Sequence, residues 1–273
     1  MNQLTFKHRR IVGLLITAIA IGVVWLLAWV EESRLGHASY LTGFTCLAAL
    51  FVLILLGMRR RLPMLPLGSV STWTQVHLYT GIFATGVFVL HVPALVAGGL
   101  FEFTLSLVFW AVSISGFYGV YISRTLPKRL TAVQGQHRFD RVAWHRSEIA
   151  DRARALLAET ANTTAGSVLE QFYRDYLKQF FGHRPSLAYV LIPTGHRRQR
   201  LLNDLKELDR YLEADSKKTA GRFAALVRKR DDLDYQFALQ FRLRSWVVFH
   251  AFFSIVLTIG AIVHGVMALR FTI

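Results

Sequence analysis

Residues 73–91 read Trp73-Thr-Gln-Val-His77-Leu-Tyr-Thr-Gly81-Ile-Phe-Ala-Thr-Gly86-Val-Phe-Val-Leu-His91, and residues 246–264 read Trp246-Val-Val-Phe-His250-Ala-Phe-Phe-Ser-Ile-Val-Leu-Thr-Ile-Gly260-Ala-Ile-Val-His264. Each stretch carries two histidines fourteen residues apart in an apolar setting. Fourteen residues make two heptads, which return to the same face in a left-handed helix bundle, and they rise about 21 Å along a helix. Each stretch is therefore read as a helix that presents two imidazoles to one neighbour at two levels.

Both stretches lie in a chain whose apolar runs have the length of membrane spans. These runs cover residues 11–30, 40–58, 72–97, 103–122 and 246–269, and each can cross a hydrocarbon core of about 30 Å at about 1.5 Å per residue. Hydrophobic residues make up 53% of the 273, and the mean hydropathy is positive. That composition points to an all-α membrane protein of five transmembrane helices rather than a soluble domain. The first run follows Lys7, Arg9 and Arg10, is about twenty residues long and lacks a small-residue cleavage pattern, so it is read as a retained helix. The lone Cys46 excludes an internal disulfide and a cysteine-ligated cluster, and reads as a small buried hydrophobe.

The net charge of +15 would suggest nucleic acid in a soluble protein. Here the cations sit at the ends of the apolar runs and in one polar block, where membrane orientation accounts for them. Lys7, Arg9 and Arg10 precede the first run, Arg59, Arg60 and Arg61 follow the second, and Arg124, Lys128 and Arg129 follow the fourth. The alternate loops hold only Arg34, beside Glu31 and Glu32, and Glu102. The positive-inside rule then puts the N-terminus in the cytoplasm and the C-terminus on the other side.

Between residues 123 and 245 the chain is polar and basic, and the same rule assigns it to the cytoplasm. The expected division is 1–123 for the first four spans, 124–244 for a helical basic insertion and 245–273 for the fifth span. Apolar residues recur at three- and four-residue intervals over 141–159, 167–180, 201–212 and 224–243, the pattern of amphipathic helices. Pro193 and Gly195 mark a turn. The last of these helices can run directly into the fifth span, because no breaker separates Ala224 from Trp246. The block has no G-x-G-x-x-G, Walker loop or C-x-x-C, which argues against a flavin, nicotinamide or iron–sulfur site within it. It reads as a platform for anionic headgroups or a partner.

In this topology the third and fifth spans run in the same direction, so the histidines match by depth, His77 with His250 and His91 with His264. An ionisable group some 10 Å from the bilayer centre is costly, and a neutral imidazole escapes that cost by binding a metal through one nitrogen and donating a hydrogen bond from the other. A single histidine here could be structural. Four in two identical spacings favour haem ligation over a paired polar network, a proton relay or a non-haem metal. Opposed imidazoles suit the two axial positions of a flat macrocycle, and neither thiol nor carboxylate stands near to complete another metal shell. The expected cofactors are two haems b, protohaem IX, each bis-histidine ligated, with no iron position left open for oxygen.

Gly81, Gly86, Gly116, Gly119 and Gly260 could admit haem edges, or could serve close helix packing. Arg124, Lys128, Arg129, Arg242 and Arg244 crowd the cytoplasmic ends of the candidate helices and could pair with inner propionates, although topology alone also explains each. On the outer side only Arg34 and Arg270 are on hand. His8, His37, His137, His145, His183 and His196 are read as solvated or structural.

The two histidine pairs, with one run between them, resemble the di-haem cytochrome b superfamily over spans three to five, and by position span two. The stretches from Trp73 to His91, from Ser115-Gly116-Phe-Tyr-Gly119-Val-Tyr121-Ile-Ser-Arg124 to Pro127, and from Arg244-Ser-Trp246 to His264 are more closely similar to a group of bacterial di-haem membrane proteins. In that group a polar segment also separates the fourth and fifth spans. The NADPH oxidase and ferric reductase membrane domain is similar as well, but this chain lacks its sixth span and its flavin and nicotinamide modules.

The resemblance implies a di-haem four-helix core in a bacterial inner membrane. Three functions follow as expectations. The first and favoured one is an electron-transfer subunit of an oxidoreductase complex in a respiratory chain, exchanging electrons with the quinone pool or a membrane redox partner. The second is a transmembrane reductase that delivers cytoplasmic electrons to an external acceptor such as ferric iron. The third is a haem-bearing structural or assembly subunit. The lipid bilayer is the one partner common to all three, and nucleic acid is a partner in none.

Overall fold

The computed structural model describes residues 3–61, 69–133, 135, 138–160 and 166–271. Among them every regular element is a helix. The chain divides into two compact units, Met1–Gly119 with Val247–Ile273, and Val120–Trp246.

The first unit holds α1 (Gln3–Ser33), α2 (Ala38–Arg61), α3 (Val70–His91), α4 (Leu100–Thr131) up to residue 119 and α10 (Ala214–Phe271) from residue 247. Among the described residues four helices are long and apolar enough to cross a membrane, α1, α2, α4 and α10. α1 is apolar all round, with Leu15, Ile19, Trp25 and Trp29 more than half exposed, as expected of a helix whose surroundings are lipid. The third expected span falls outside this set. At 22 residues α3 has the length, but Thr72, Thr74, Gln75, His77, Thr80 and Thr85 dilute its apolar character.

α3 also ends earlier than its apolar run, which continues to residue 97. Pro93 disfavours helical backbone at Val92, whose φ and ψ are −126° and 82°. The loop that follows is fastened to α4. Trp110 Nε1 donates to the Leu95 carbonyl at 2.8 Å, and the Ala97 amide donates to Ser106 Oγ at 3.3 Å. At the other end, the Ser69 hydroxyl accepts the Thr72 amide at 3.1 Å and caps α3.

The core of this unit gathers Cys46, Leu50, Val87, Phe88, Phe109 and Leu257. Phe88 stacks on Phe109 with ring centroids 3.8 Å apart. Contacts of this kind hold apolar helices together in lipid, where water exclusion contributes little. Seven residues from each histidine, α3 buries Ala84 and α10 buries Leu257. The heptad spacing therefore continues through the middle of both helices, and the histidines share their buried face.

The second unit contains the rest of α4 and α10, a 3₁₀ turn at Phe139–Arg141, α5 (Val142–Thr160), α6 (Gly166–Phe172), a π turn at Tyr173–Leu177, α7 (Lys178–Gly182), α8 (Leu187–Leu191) and α9 (His196–Leu208). Its amphipathic helices bury their stripes against one another. Val142, Ile149 and Leu156 of α5 meet Leu201 and Leu205 of α9 and Phe223 and Val227 of α10 in one core. The wide π turn interrupts the helix expected over 167–180 and keeps Tyr173, Leu177, Phe180 and Phe181 in that core. α8 was not foreseen. It follows Pro185 and is capped by Ser186, whose hydroxyl accepts the Tyr189 amide. α10 runs unbroken for 58 residues.

Charge is buried here too. Arg230 is 1% exposed, pairs with Asp234 and donates to the His183 carbonyl at 2.8 Å. Arg146 reaches the same Asp234 carboxylate, Nε to Oδ1 2.8 Å. Phe223, Val227, Arg230 and Asp234 follow the i, i+4, i+7, i+11 spacing of one helix face, so the charged pair lies on the apolar stripe itself.

Candidate functional site

All four histidines of the paired spacings belong to the first unit. His77 and His250 face each other with ring centroids 6.2 Å apart and planes at 71°. His91 and His264 do the same at 6.3 Å and 78°. These are the pairs that depth in the sequence matches.

A carbonyl fixes the tautomer of one ring, and hydroxyls that bond to their own helix are placed to accept from two more. His77 Nδ1 lies 3.1 Å from the Leu53 carbonyl, which can only accept, so Nδ1 carries the hydrogen. Thr42 Oγ1 donates to the Ala38 carbonyl at 3.0 Å and lies 3.0 Å from His91 Nδ1. Its one hydrogen is used, and it accepts from His91. Ser115 Oγ donates to the Val112 carbonyl at 2.8 Å and accepts from His250 Nδ1 at 2.7 Å by the same logic. In each ring Nε2 then keeps its lone pair, the form in which a histidine binds a metal while its other nitrogen donates. His264 differs. Its Nδ1 is buried without a hydrogen-bond partner, and Glu102 Oε1 is 3.9 Å away. Glu102 and Cys46 line the same cavity as His91 and His264, so the expectation that no carboxylate or thiol stands near the histidines does not hold at this pair.

The separations also suit a metal. Two imidazoles bound on opposite sides of one ion at about 2.0 Å set their ring centroids about 6.3 Å apart. Beside the second pair is a cavity of about 480 Å³. His91 and His264 line it with Gly43, Leu50, Phe109 and Leu257, an apolar wall with few polar groups, as small-molecule sites usually have. Gly43 of α2 matters to its shape, because a Cβ there would stand 3.0 Å from His91 Cε1.

The candidate glycines fall into different surroundings. A Cβ on Gly116 would lie 3.5 Å from His250 Cε1, and one on Gly81 would meet only Leu53 at 4.0 Å. Gly86 is packed by Ile21, whose Cδ1 would be 2.6 Å from a Cβ, and Gly260 by Leu105 at 2.9 Å. These two serve helix packing. Gly119 is buried. Arg124 is exposed and belongs to the second unit, as does Arg244. Arg244 lies over the Phe139 ring at 4.3 Å and 3.8 Å from Asp140.

Of the remaining histidines, His8, His37, His183 and His196 are exposed, and His145 lies 3.5 Å from Glu148. His137 lies outside the described residues, as do the side chains of Lys7, Arg9, Arg59, Arg60 and Arg61. The residues that set the tautomers, Thr42, Ser115 and the Leu53 carbonyl, and the cavity residues Gly43 and Glu102, escape a reading of sequence. Hydroxyls and carbonyls of membrane helices commonly bond within their own helix, and nothing in their spacing separates these from the others.

Comparison with protein-family models, with curated proteins and with solved structures finds no match for this chain.

Proposed function

We propose that this chain is a b-type cytochrome with five transmembrane helices that carries electrons across the membrane between two bis-histidine haem sites. His77 and His250 would hold the haem of the inner site and His91 and His264 that of the outer. The carrying observation is the geometry of the rings: two opposed pairs at metal-spanning separation, with three of the four imidazoles held as the Nδ1–H tautomer. Haem held between such pairs would supply one-electron chemistry.

The chain's own part is to orient the rings, exclude water and span the distance. The Leu53 carbonyl, Thr42 and Ser115 engage Nδ1 of three of the imidazoles and leave their Nε2 atoms for a ligand. Phe88, Phe109, Ala84 and Leu257 fill the interior that lies between the levels of the histidines along α3 and α10. Helix α3, which carries both His77 and His91, is tolerated in the membrane because its two imidazoles are relieved by coordination and hydrogen bonding rather than facing lipid. The expected setting is a bacterial inner membrane with the N-terminus in the cytoplasm, where the chain exchanges electrons with the quinone pool or a membrane redox partner.

The test is the haem content of the protein purified in mild detergent. Two non-covalent protohaems per chain by the pyridine haemochrome assay are expected, with replacement of His77 or His250 removing the same one. Fewer than two in fully loaded protein, or covalent attachment, overturns the reading.

A further inference from the structure

Three of the four paired histidines donate from Nδ1 to an uncharged oxygen, a carbonyl or a hydroxyl. The fourth, His264, has its Nδ1 buried with no acceptor within hydrogen-bond distance. Leaving such a donor unsatisfied costs about 1–3 kcal/mol, so the site calls for an acceptor. The group that faces it is the Glu102 carboxylate in the first turn of α4, with Oε1 3.9 Å away. One side-chain rotation or one bridging water closes that gap.

The backbone beneath Glu102 is built to hold it there. The Ser106 hydroxyl donates to the Glu102 carbonyl at 2.8 Å and accepts the Ala97 amide at 3.3 Å. The Phe103 amide donates to the Gly99 carbonyl at 2.6 Å. Gly99 leaves the room: Glu102 Oε2 stands where a Cβ on residue 99 would be. Phe101 stacks on the His264 ring, centroids 6.4 Å apart and planes at 28°. Glu102 and His264 also line the same cavity.

We infer that Glu102 is a positioning residue for the outer site, taking the Nδ1 hydrogen of His264 and making it the one ligand of the four with an anionic partner. This rests on the di-haem reading above. A carboxylate acceptor raises the basicity of the imidazole it holds and tunes the metal beyond it. It favours the ferric state and so lowers the midpoint potential of the outer haem. An electron shared between the two sites then rests more on the inner one.

The test uses the purified full-length protein with both haems, titrated potentiometrically and followed by optical and low-temperature electron paramagnetic resonance spectra. The outer component is identified as the one that His264→Ala removes. Glu102→Gln keeps the size and removes the charge. It should raise the outer midpoint potential, change the outer low-spin signal and leave the inner haem where it was. Gly99→Ala keeps the charge but fills the space under the carboxylate, and should shift the outer potential in the same direction. An unchanged outer potential in Glu102→Gln with two haems bound overturns the inference and leaves the di-haem reading standing. Should Glu102→Gln lose the outer haem, an unchanged potential in Gly99→Ala overturns it as well. Wild-type protein without haem at His91 and His264 overturns both.

Discussion

Ser115 on α4 accepts the Nδ1 hydrogen of His250 on α10 at 2.7 Å while passing its own hydrogen to the carbonyl of Val112. A serine bound in this way can accept from the histidine and leave the Nε2 lone pair of His250 for a ligand. Thr42 stands to His91 in the same relation from α2. Each histidine pair is thus oriented by a hydroxyl from a helix that carries neither ligand.

On the proposed di-haem reading, removing that hydroxyl should loosen one haem and spare the other. Ser115→Ala is expected to weaken haem retention at the His77–His250 pair by roughly 10–100-fold, the usual cost of losing a partner that orients a metal ligand. Thr42→Val should do the same at the His91–His264 pair. Haem release to apomyoglobin, followed optically for each variant, checks both. Equal loss from the two sites in either variant would show that the hydroxyls act on the whole bundle and not on one ring.

The paired spacings were legible in sequence because a helix repeats its faces and fourteen residues is a multiple of seven. The heptad is visible even at its midpoint, since Ala84 and Leu257 are buried as the histidines' own face requires. What orients the rings was hidden, because Leu53 contributes only a carbonyl and Thr42 and Ser115 look like any hydroxyl in a membrane helix. The basic insertion was legible as amphipathic helices, yet not as a unit with its own core. Arg230 and Asp234 occupy core positions there, and on a sequence pattern a charged pair reads as a solvated face.

That buried pair gives a stability prediction. Asp234 answers both Arg230 and Arg146. Asp234→Ala leaves two guanidinium groups in the interior without their carboxylate, and should destabilise the insertion by about 3–5 kcal/mol. Replacing Arg230, Arg146 and Asp234 together with apolar residues of similar volume should cost much less, because no guanidinium is then left without its carboxylate. Thermal unfolding followed by near-ultraviolet circular dichroism separates the cases. Equal losses in the single and triple variants would contradict the uncompensated-charge account.

A neighbour titrates in a defined direction. Asp231 lies in the polar first half of α10, before the apolar stretch at 246–269. Burial pushes its carboxyl above the usual range, against the lowering effect of the Tyr189 hydroxyl, which donates to it at 3.1 Å, and of Arg198. The folded state therefore holds the proton more tightly than the unfolded chain, whose aspartates titrate near 3.9. The contribution is complete below that value and is lost as pH rises through the raised one. Asp231→Asn should gain stability relative to the native protein across that window, and a pH-independent difference would count against it.

The proposed orientation depends on cations that cluster at alternate ends of the apolar runs. Protease added to right-side-out vesicles should leave residues 123–245 intact, and protease added to inverted vesicles should cleave them. The opposite pattern reverses the topology and exchanges the names inner and outer for the two sites.

The fourteen residues between the histidines of each helix rise about 21 Å, and tilted helices bring the two levels to about 20 Å across the membrane. On the proposed di-haem reading, haems at those two levels would let an electron cross most of the hydrocarbon core without a moving domain. With the outer site empty that route ends halfway. His264→Ala, or His91→Ala, is expected to abolish transfer from the cytoplasmic face to an external acceptor while the inner haem remains reducible from the cytoplasmic side. The measurement is made in proteoliposomes with a membrane-impermeant acceptor outside, in variants whose haem content has been determined. Undiminished transfer in a variant that lacks the outer haem would rule out the conduit, even in a protein that binds both haems in its native form.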